Sequence, residues 1–587
     1  FLGLKTMTLI QDTLDNITLQ GKTPPDLDNL PLTDAATYDL YARGDTDGIF
    51  QVESSGMRQY LRMLKPSCFE DVIAMLALYR PGPLGSGMVD EFIKRKHGQV
   101  PVVYPHESLS DCLRDTYGVI VYQEQVMQIA QIIASYTLGG ADLLRRAMGK
   151  KKPEAMAKER VKFVEGAQKN GVDKAKADEI FDLMEKFAEY GFNKSHSAAY
   201  AQISYFTAYL KVHHTVEFMA ALLTSEMSNQ EKLLKYISCC KDMGIDVVQP
   251  SVNASQRSFS AREGKVVFGL GGIKNVGDSA ITEIMDARKD GEYVSLFDMC
   301  CRVDLRKVTK RVLEALIKGG ACDCFGVSRA ALLAALDTVV TRAQKKAKEK
   351  NSNQISLLAM APQVEAKPQP GIGFDCPESG IPEMDEDQRL KNEKEALGFF
   401  LTSHPLQPFS REMRRLRLTT LEDARDLYPK AELSTAVLVV SLKEVITKSK
   451  GERMAFVGVE DLTGHAEVTF FPRAYAEARE LLEQPLCLRA TVDSQVDESR
   501  DSDEDGEETS REVKLLGQSV TLLSEACGQS DTPICVQIPA HRLGEEDILA
   551  LKAILEAHPG NVEAEAMVLL DGVRCHLTLG PQFRVSP

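Results

Sequence analysis

Between Gln123 and Met227 apolar residues recur at helical spacing, and from residue 433 onward they alternate as strands do. Val126, Ile129, Ala130 and Ile133 fall three or four apart, the mark of an amphipathic helix. Gly139-Gly140 is expected to break that run. A new short helix should follow, with Asp142 in its first turn, where a carboxylate suits the helix dipole. In it Leu143 with Ala147, and Leu144 with Met148, form a core-facing stripe that leaves Arg145, Arg146 and Lys150 outside. Arg146 and Lys150 share one side, and like charges at that spacing repel by roughly a few tenths of a kcal/mol. With Lys151 and Lys152 added, the run invites an anion, and the flanking glycines leave room for a phosphate. The alternative is a solvated basic face.

Further along, Ala177, Ile180, Phe181, Met184, Phe187 and Ala188 keep the 3.6 period. The segment Tyr190–Tyr200 joins two helices, with Ser195 or Ser197 as the expected cap and Lys194 and His196 as polar tips. The next helix is apolar nearly all round (Ile203, Phe206, Tyr209, Leu210, Met219) and is expected to be buried. Alternation marks strands at Ala436–Val440, Met454–Glu460, Ala466–Phe471, Cys487–Val492 and Val513–Leu523, with a helix near 474–482. Five short strands and one helix suggest an OB-fold barrel. Phe456, Phe470 and Phe471 are candidates to stack on single-stranded bases, against the commoner use of strand aromatics as core. Residues 533–587 read strand, helix, then two strands.

Composition narrows the class. A chain of 587 residues holds several domains, and no run of eighteen apolar residues is present to span a membrane. Thirteen cysteines show no C-x-x-C spacing and read as reduced cytosolic thiols. The net charge of −15 argues against a generally basic nucleic-acid binder, but charge is segregated. Asp142–Lys176 carries eleven Lys/Arg against five Asp/Glu, whereas Asp497–Val513 carries nine acids against two arginines. Local fields, rather than the total, decide what binds. The acidic run is expected to be a disordered loop that repels DNA.

Two constellations carry candidate chemistry. Asp45-Thr46-Asp47 is a D-x-D that on a strand would place both acids on one face for a divalent ion, but flanking glycines favour a turn. The stretch Gly272-Ile273-Lys274-Asn275-Val276-Gly277, leading into Ala280, Ile281 and Ile284, fits a helix-hairpin-helix. Its glycines expose backbone N–H groups to a DNA phosphate without reading sequence, and Gly272, Lys274, Asn275 and Gly277 are the candidates. It lacks Lys-Ser/Thr after the last glycine, so it is not a Walker loop. Val308, Val312 and Leu316 line a second helical pair before Gly319-Gly320.

Four motifs in order resemble the fingers region of the bacterial DNA polymerase III alpha subunit family. They are Arg80-Pro81-Gly82-Pro83-Leu84, Val121-Tyr122-Gln123-Glu124-Gln125-Val126-Met127, the Leu138–Lys152 run, and Phe192-Asn193-Lys194-Ser195-His196-Ser197-Ala198-Ala199-Tyr200. The resemblance implies that Arg145, Arg146, Lys150 and Lys151 face the nucleotide triphosphate or the template, with Arg80, Lys194 and His196 as second candidates. Gln354-Ile355-Ser356-Leu357-Leu358 resembles the family's sliding-clamp peptide, in which Gln354, Leu357 and Leu358 would make the contacts. Lys394–Leu406 matches another family segment, and its His404, before Pro405, is read as structural.

The implied fold class is multidomain α and α/β. It comprises a palm remnant (1–14), a largely helical fingers domain (15–255), a tandem helix-hairpin-helix with clamp motif (256–358), a linker (359–385), a helical connection (386–430), an OB barrel (431–525) and a small α/β tail (531–587). The implied function is template-directed addition of dNMP to a primer 3′-OH. The implied partners are primer-template DNA, deoxynucleoside triphosphates, a sliding clamp, a clamp loader and a proofreading subunit, in the cytoplasm. The family's Mg²⁺ is held by three palm aspartates, none of which matches a residue here, the last being expected just before Phe1; this chain alone is therefore expected to be inactive. A non-catalytic DNA-binding scaffold linking clamp and single strand is the alternative.

Overall fold

The computed structural model describes every residue except 1–3, 150–152, 189–190, 352–368, 425–426, 447–450, 483, 494–512, 529–533, 540–543, 558–563, 571–572, 579–582 and 584–587. Lys150, Lys151, the Gln354-to-Leu358 peptide and nearly all of the acidic run lie outside the described residues.

One apolar cluster runs from Leu9 to Leu401. The Lys5–Leu19 helix buries Leu9, Ile10 and Ile17, and Lys5 and Lys22 pair with Glu226 and Glu217 at the ends of the Thr215–Ser225 helix. The Lys194–His213 helix buries its small and polar positions Ala201, Ser204, Thr207 and Ala208 along with Tyr205 and Leu210. A second cluster, from Leu109 to Phe187, joins the helices Gln123–Ala134, Leu138–Gly149, Pro153–Lys169 and Lys174–Ala188.

Three local expectations need correction. The break before the basic run is at Ser135, whose left-handed φ of 53° ends the Gln123–Ala134 helix. Gly139 and Gly140 lie inside the next helix, because the Thr137 hydroxyl accepts from Gly140 N at 3.1 Å and places both glycines in the first turn. There the N–H groups have no helical acceptor in any case, so the glycines do little harm. The buried stripe is Ala141, Leu144 and Met148, and Leu143 is 64% exposed. Finally, the stretch Pro81–Gly85, whose proline and glycine content predicts a rigid loop, is a one-turn helix with proline at the first position, where its missing N–H costs nothing.

β1 (Val247–Val248), β2 (Ser260–Arg262) and β3 (Lys265–Val267) form a small sheet in the order β1-β3-β2. A 3-10 turn at Leu270–Gly272 then leads to the Asp278–Ala287 helix. A β-hairpin therefore stands where the spacing predicted a first helix. The Lys310–Lys318 helix buries Val312 and Leu316, with Val308 buried just before it. Gly371 and Ile372, inside the expected linker, accept the Leu296 and Phe297 N–H groups at 3.0 Å.

β4 (Glu432–Ile446), β5 (Arg453–Glu460), β6 (His465–Phe470), β7 (Leu486–Val492) and β8 (Val513–Leu522) close a barrel in the order β4-β5-β6-β8-β7. All neighbours are antiparallel except β6 with β8. The five strands and the Pro472–Ala478 helix stand where alternation placed them, though β4 is far longer than expected. Phe470 is core at 1% exposure, so it does not stack on bases; Phe471 is 53% exposed and Phe456 half-buried. The tail is a sheet of β9 (Ile534–Pro539), β10 (Ala564–Leu570) and β11 (Val573–Thr578), with the Glu545–Ala557 helix between its first two strands. Among the described residues, no helix is long and apolar enough to cross a membrane.

Candidate functional site

The segment Gly191–Asn193 is zipped to Tyr122–Gln123. Tyr122 and Phe192 form a parallel bridge, and Gln123 N donates to Phe192 O at 2.9 Å. Gln123 Nε2 donates to the Gly191 carbonyl at 3.0 Å, and the Glu124 carboxylate accepts Lys194 N at 2.9 Å. Gln125 is buried; its Oε1 accepts Val121 N and Tyr122 N, and its Nε2 donates to Cys112 O and Thr116 Oγ1. Close approach needs Gly191, since a Cβ there would lie 2.8 Å from the Phe187 ring and 3.3 Å from Gln123. The following helix is capped by Asn193, whose Oδ1 accepts His196 N at 2.9 Å, and not by Ser195 or Ser197. Asn193 precedes the helix directly, whereas both serines lie within its first turn.

Four of the sequence candidates meet at this junction. The Arg80 guanidinium sits 4.0 Å over the Phe192 ring, with Nε and Nη2 donating to Ala77 O. Burial pulls its pKa down. Lys194 Nζ lies 5.4 Å from the Tyr122 ring centre, and His196 stacks on Tyr200 with centroids 4.3 Å apart. Arg145 is tied in by Nη1 donating to Gln123 Oε1 at 2.9 Å. The next cation, Arg146, shares Asp142 with Arg145, at 2.8 and 2.7 Å respectively. Those contacts, the Arg145 hydrogen bond foremost, hold the Asp142 carboxyl below its usual range. Asp142 therefore orients two arginines rather than serving the dipole. Two positive charges against one negative leave an excess, and Arg146 is 63% exposed.

Such an arrangement suits a polyanion: Arg145 and Arg146 are aimed by the Gln123 amide and the Asp142 carboxylate, and Glu124 holds the backbone at Lys194. Gln123, Glu124, Gln125 and Asn193 are the positioning residues that sequence reasoning missed. Gln123 and Glu124 find partners up to 70 residues away in the chain, which no local pattern marks. Asn193 instead bonds His196 three residues on, and an asparagine just ahead of a helix is the local signal that could have found it.

The carboxylate pair is a turn, as its flanking glycines suggested. Asp47 pairs with Arg58 and Lys235, and Asp45 with Arg43. Burial raises the Asp47 pKa, but Lys235 and Arg58 outweigh it and leave it lowered. Lys211, itself buried, donates to the Asp45 and Asp47 carbonyls at 2.9 and 2.8 Å. Cations thus occupy the positions a divalent ion would need, and these acids do not fit Mg²⁺.

The hairpin candidates divide by packing. A Cβ at Gly272 would meet the Phe268 ring at 2.7 Å, so that glycine serves the core. Gly277 faces open space, and Asn275 holds a left-handed φ of 67°. Lys274 N is already used, donating to Ala396 O at 2.7 Å. His404, read as structural, accepts Leu406 N at Nδ1, and burial, then Lys394, pushes its pKa down to about 4.

Residues 6–171 match the family model described as bacterial DNA polymerase III alpha subunit finger domain, and residues 244–332 match a helix-hairpin-helix motif. The DNA polymerase III subunit alpha of Vibrio cholerae is 41% identical over 605 residues, covering 100% of this chain and 50% of that protein. That of Pseudomonas aeruginosa is 40% identical over 616 residues, with 100% and 51% covered. That of Escherichia coli K12 is 40% identical over 606 residues, with 100% and 50% covered. The chain spans about half the length of the curated relatives it matches.

Proposed function

The chain belongs to the bacterial DNA polymerase III alpha subunit family, and on that premise we propose that it supplies nucleotide, DNA and clamp binding to a replicative DNA polymerase. The reaction served is template-directed addition of dNMP to a primer 3′-OH with release of pyrophosphate. Phosphoryl transfer is mostly positioning and charge neutralisation, and these are what the junction at Gly191 offers. Arg146 and Lys194 neutralise the triphosphate, joined by Lys150 and Lys151, while Arg145 is held in line by Gln123 and Asp142. Arg80 braces Phe192, and His196 forms the neighbouring wall. The observation that carries this reading is the double hydrogen bond of Gln123, which ties Arg145 to the segment bearing Lys194 and His196.

The rest of the chain handles DNA. Gly277 and Asn275 present backbone to a phosphate, the barrel takes single-stranded template through Phe456 and Phe471, and Gln354, Leu357 and Leu358 dock on a sliding clamp. Residues 15–255 act as fingers, 256–358 as the hairpin and clamp region, 431–525 as the barrel and 531–587 as a tail toward the clamp loader. The work belongs to the cytoplasm, beside a proofreading subunit. The family's Mg²⁺ does not fit Asp45 or Asp47, which are paired with cations, and the chain alone should extend no primer.

In a polymerase assembled with this chain, Arg146→Ala should raise the dNTP KM or lower kcat, and unchanged single-turnover kinetics would remove Arg146 from the site. The scaffold alternative is separated by sequencing genomic DNA upstream of the Phe1 codon. An open frame with an aspartate directly before it favours the polymerase, and a start codon favours the scaffold.

A further inference from the structure

Away from the Gly191 junction, the Ser55–Leu64 and Met88–Lys96 helices border a cleft of about 470 Å³. That is within the range of ligand-binding pockets. Arg62, Lys65, Lys94 and His97 line it, with Asp90 the one carboxylate among the lining residues and Met63 as apolar wall. Both helices end here, and cations are common at helix C-termini because they offset the dipole. That explanation covers only part of the set. The terminal carbonyls are already engaged: Met63 O accepts His97 Nε2 at 2.8 Å, Lys65 O accepts Lys96 Nζ at 3.0 Å, and Lys94 O accepts Gln99 N at 2.9 Å.

The neighbouring cations are spoken for as well. Lys96 pairs with buried Asp71, and Arg95 pairs with Glu91. Among the described residues, Arg62 spends only Nε, on Arg43 O at 2.9 Å. Among the described residues, no carboxylate lies within ion-pair distance of Arg62, Lys65 or Lys94. Three cations therefore project into one concavity with a single acid beside them, an excess that attracts phosphate.

We propose that this cleft is a phosphodiester subsite that holds a nucleic-acid strand apart from the nucleotide-binding junction. The inference rests on the polymerase reading for the class of its ligand. Lys65 and Lys94 contact successive backbone phosphates, Arg62 offers its free guanidinium edge, and the exposed Met63 side chain lies against the sugar. No base is read, because the contacts come from Arg62, Lys65 and Lys94, which recognise phosphate.

The test is fluorescence anisotropy of the 587-residue chain with labelled oligo(dT) across a KCl series, comparing wild type with Lys65→Gln/Lys94→Gln. The slope of log K against log[salt] should become shallower by about 1.4, since each single-strand phosphate left without its lysine accounts for about 0.7. Lys65→Arg/Lys94→Arg should restore it. A wild-type slope in the Gln variant overturns the subsite while leaving DNA binding elsewhere intact. Absence of oligonucleotide binding by the wild-type chain overturns the polymerase reading along with it. As a second readout, oligo(dT) should shift the ¹³C-methyl signal of Met63. A shift with inorganic pyrophosphate but none with oligo(dT) would make this a free-polyphosphate site and overturn the strand assignment.

Discussion

Gln123 accepts the Arg145 guanidinium at 2.9 Å through the amide oxygen of a side chain whose nitrogen holds the Gly191 carbonyl. One uncharged residue thereby fixes a cation of one helix to the segment that opens another. Gln123→Ala removes both hydrogen bonds. A hydrogen bond to a charged group contributes about 1.5–3 kcal/mol, so dNTP affinity should fall by about tenfold or more. Equilibrium titration with a fluorescent dNTP checks this, and circular dichroism should show the fold retained.

Gly191→Ala acts on the same junction by crowding. The new methyl would stand 2.8 Å from Phe187, inside a well-packed cluster. Overpacking of this kind costs about 1–3 kcal/mol. The thermal midpoint should drop, and Phe187→Leu in the same chain should recover part of the loss.

His404 provides a pH signature. Its folded pKa of about 4 lies below the ordinary 6.5, chiefly through burial. A histidine held neutral in the fold stabilises it fully above the unfolded value and loses that contribution as pH falls toward the folded one. Between pH 6.5 and 4 the chain should lose roughly 3 kcal/mol from this group. Urea midpoints measured over that window should be flatter for His404→Asn than for wild type.

Much of this was legible in the chain, for identifiable reasons. The barrel's strands and their order of appearance follow from simple alternation, because Val457, Val468 and Leu488 must face one interior. The helices from Gln123 to Ala188 were legible by period, but the Lys194–His213 helix buries Ser204, Thr207 and Ala208 and leaves Ile203, Phe206 and Tyr209 half-buried, and Met219 belongs to the next helix. What escaped was in part a local cap and in part non-local. Thr137 capping absorbed Gly139 and Gly140 into a helix, and Leu143 lost its expected core place to Ala141. The cations of the site were visible as a run, but the amides and the carboxylate that aim them were not. Periodicity reports which face is apolar, and it carries no information about a glutamine's partner 68 residues on.

The clamp assignment makes a separate prediction. Replacing Gln354 and Leu357 together by Ala should abolish sliding-clamp binding in surface plasmon resonance and clamp-dependent product length. Wild-type product lengths with clamp present would refute that role.

The central claim is that Arg146 and Lys194 grip the polyphosphate of an incoming nucleotide. It is tested most directly by titrating a fluorescent dNTP onto the wild-type chain and onto Arg146→Ala/Lys194→Ala. Removing two charge-assisted hydrogen bonds of about 1.5 kcal/mol each predicts binding weaker by about 100-fold, with a shallower salt dependence. Equal affinity in the two proteins would contradict the account.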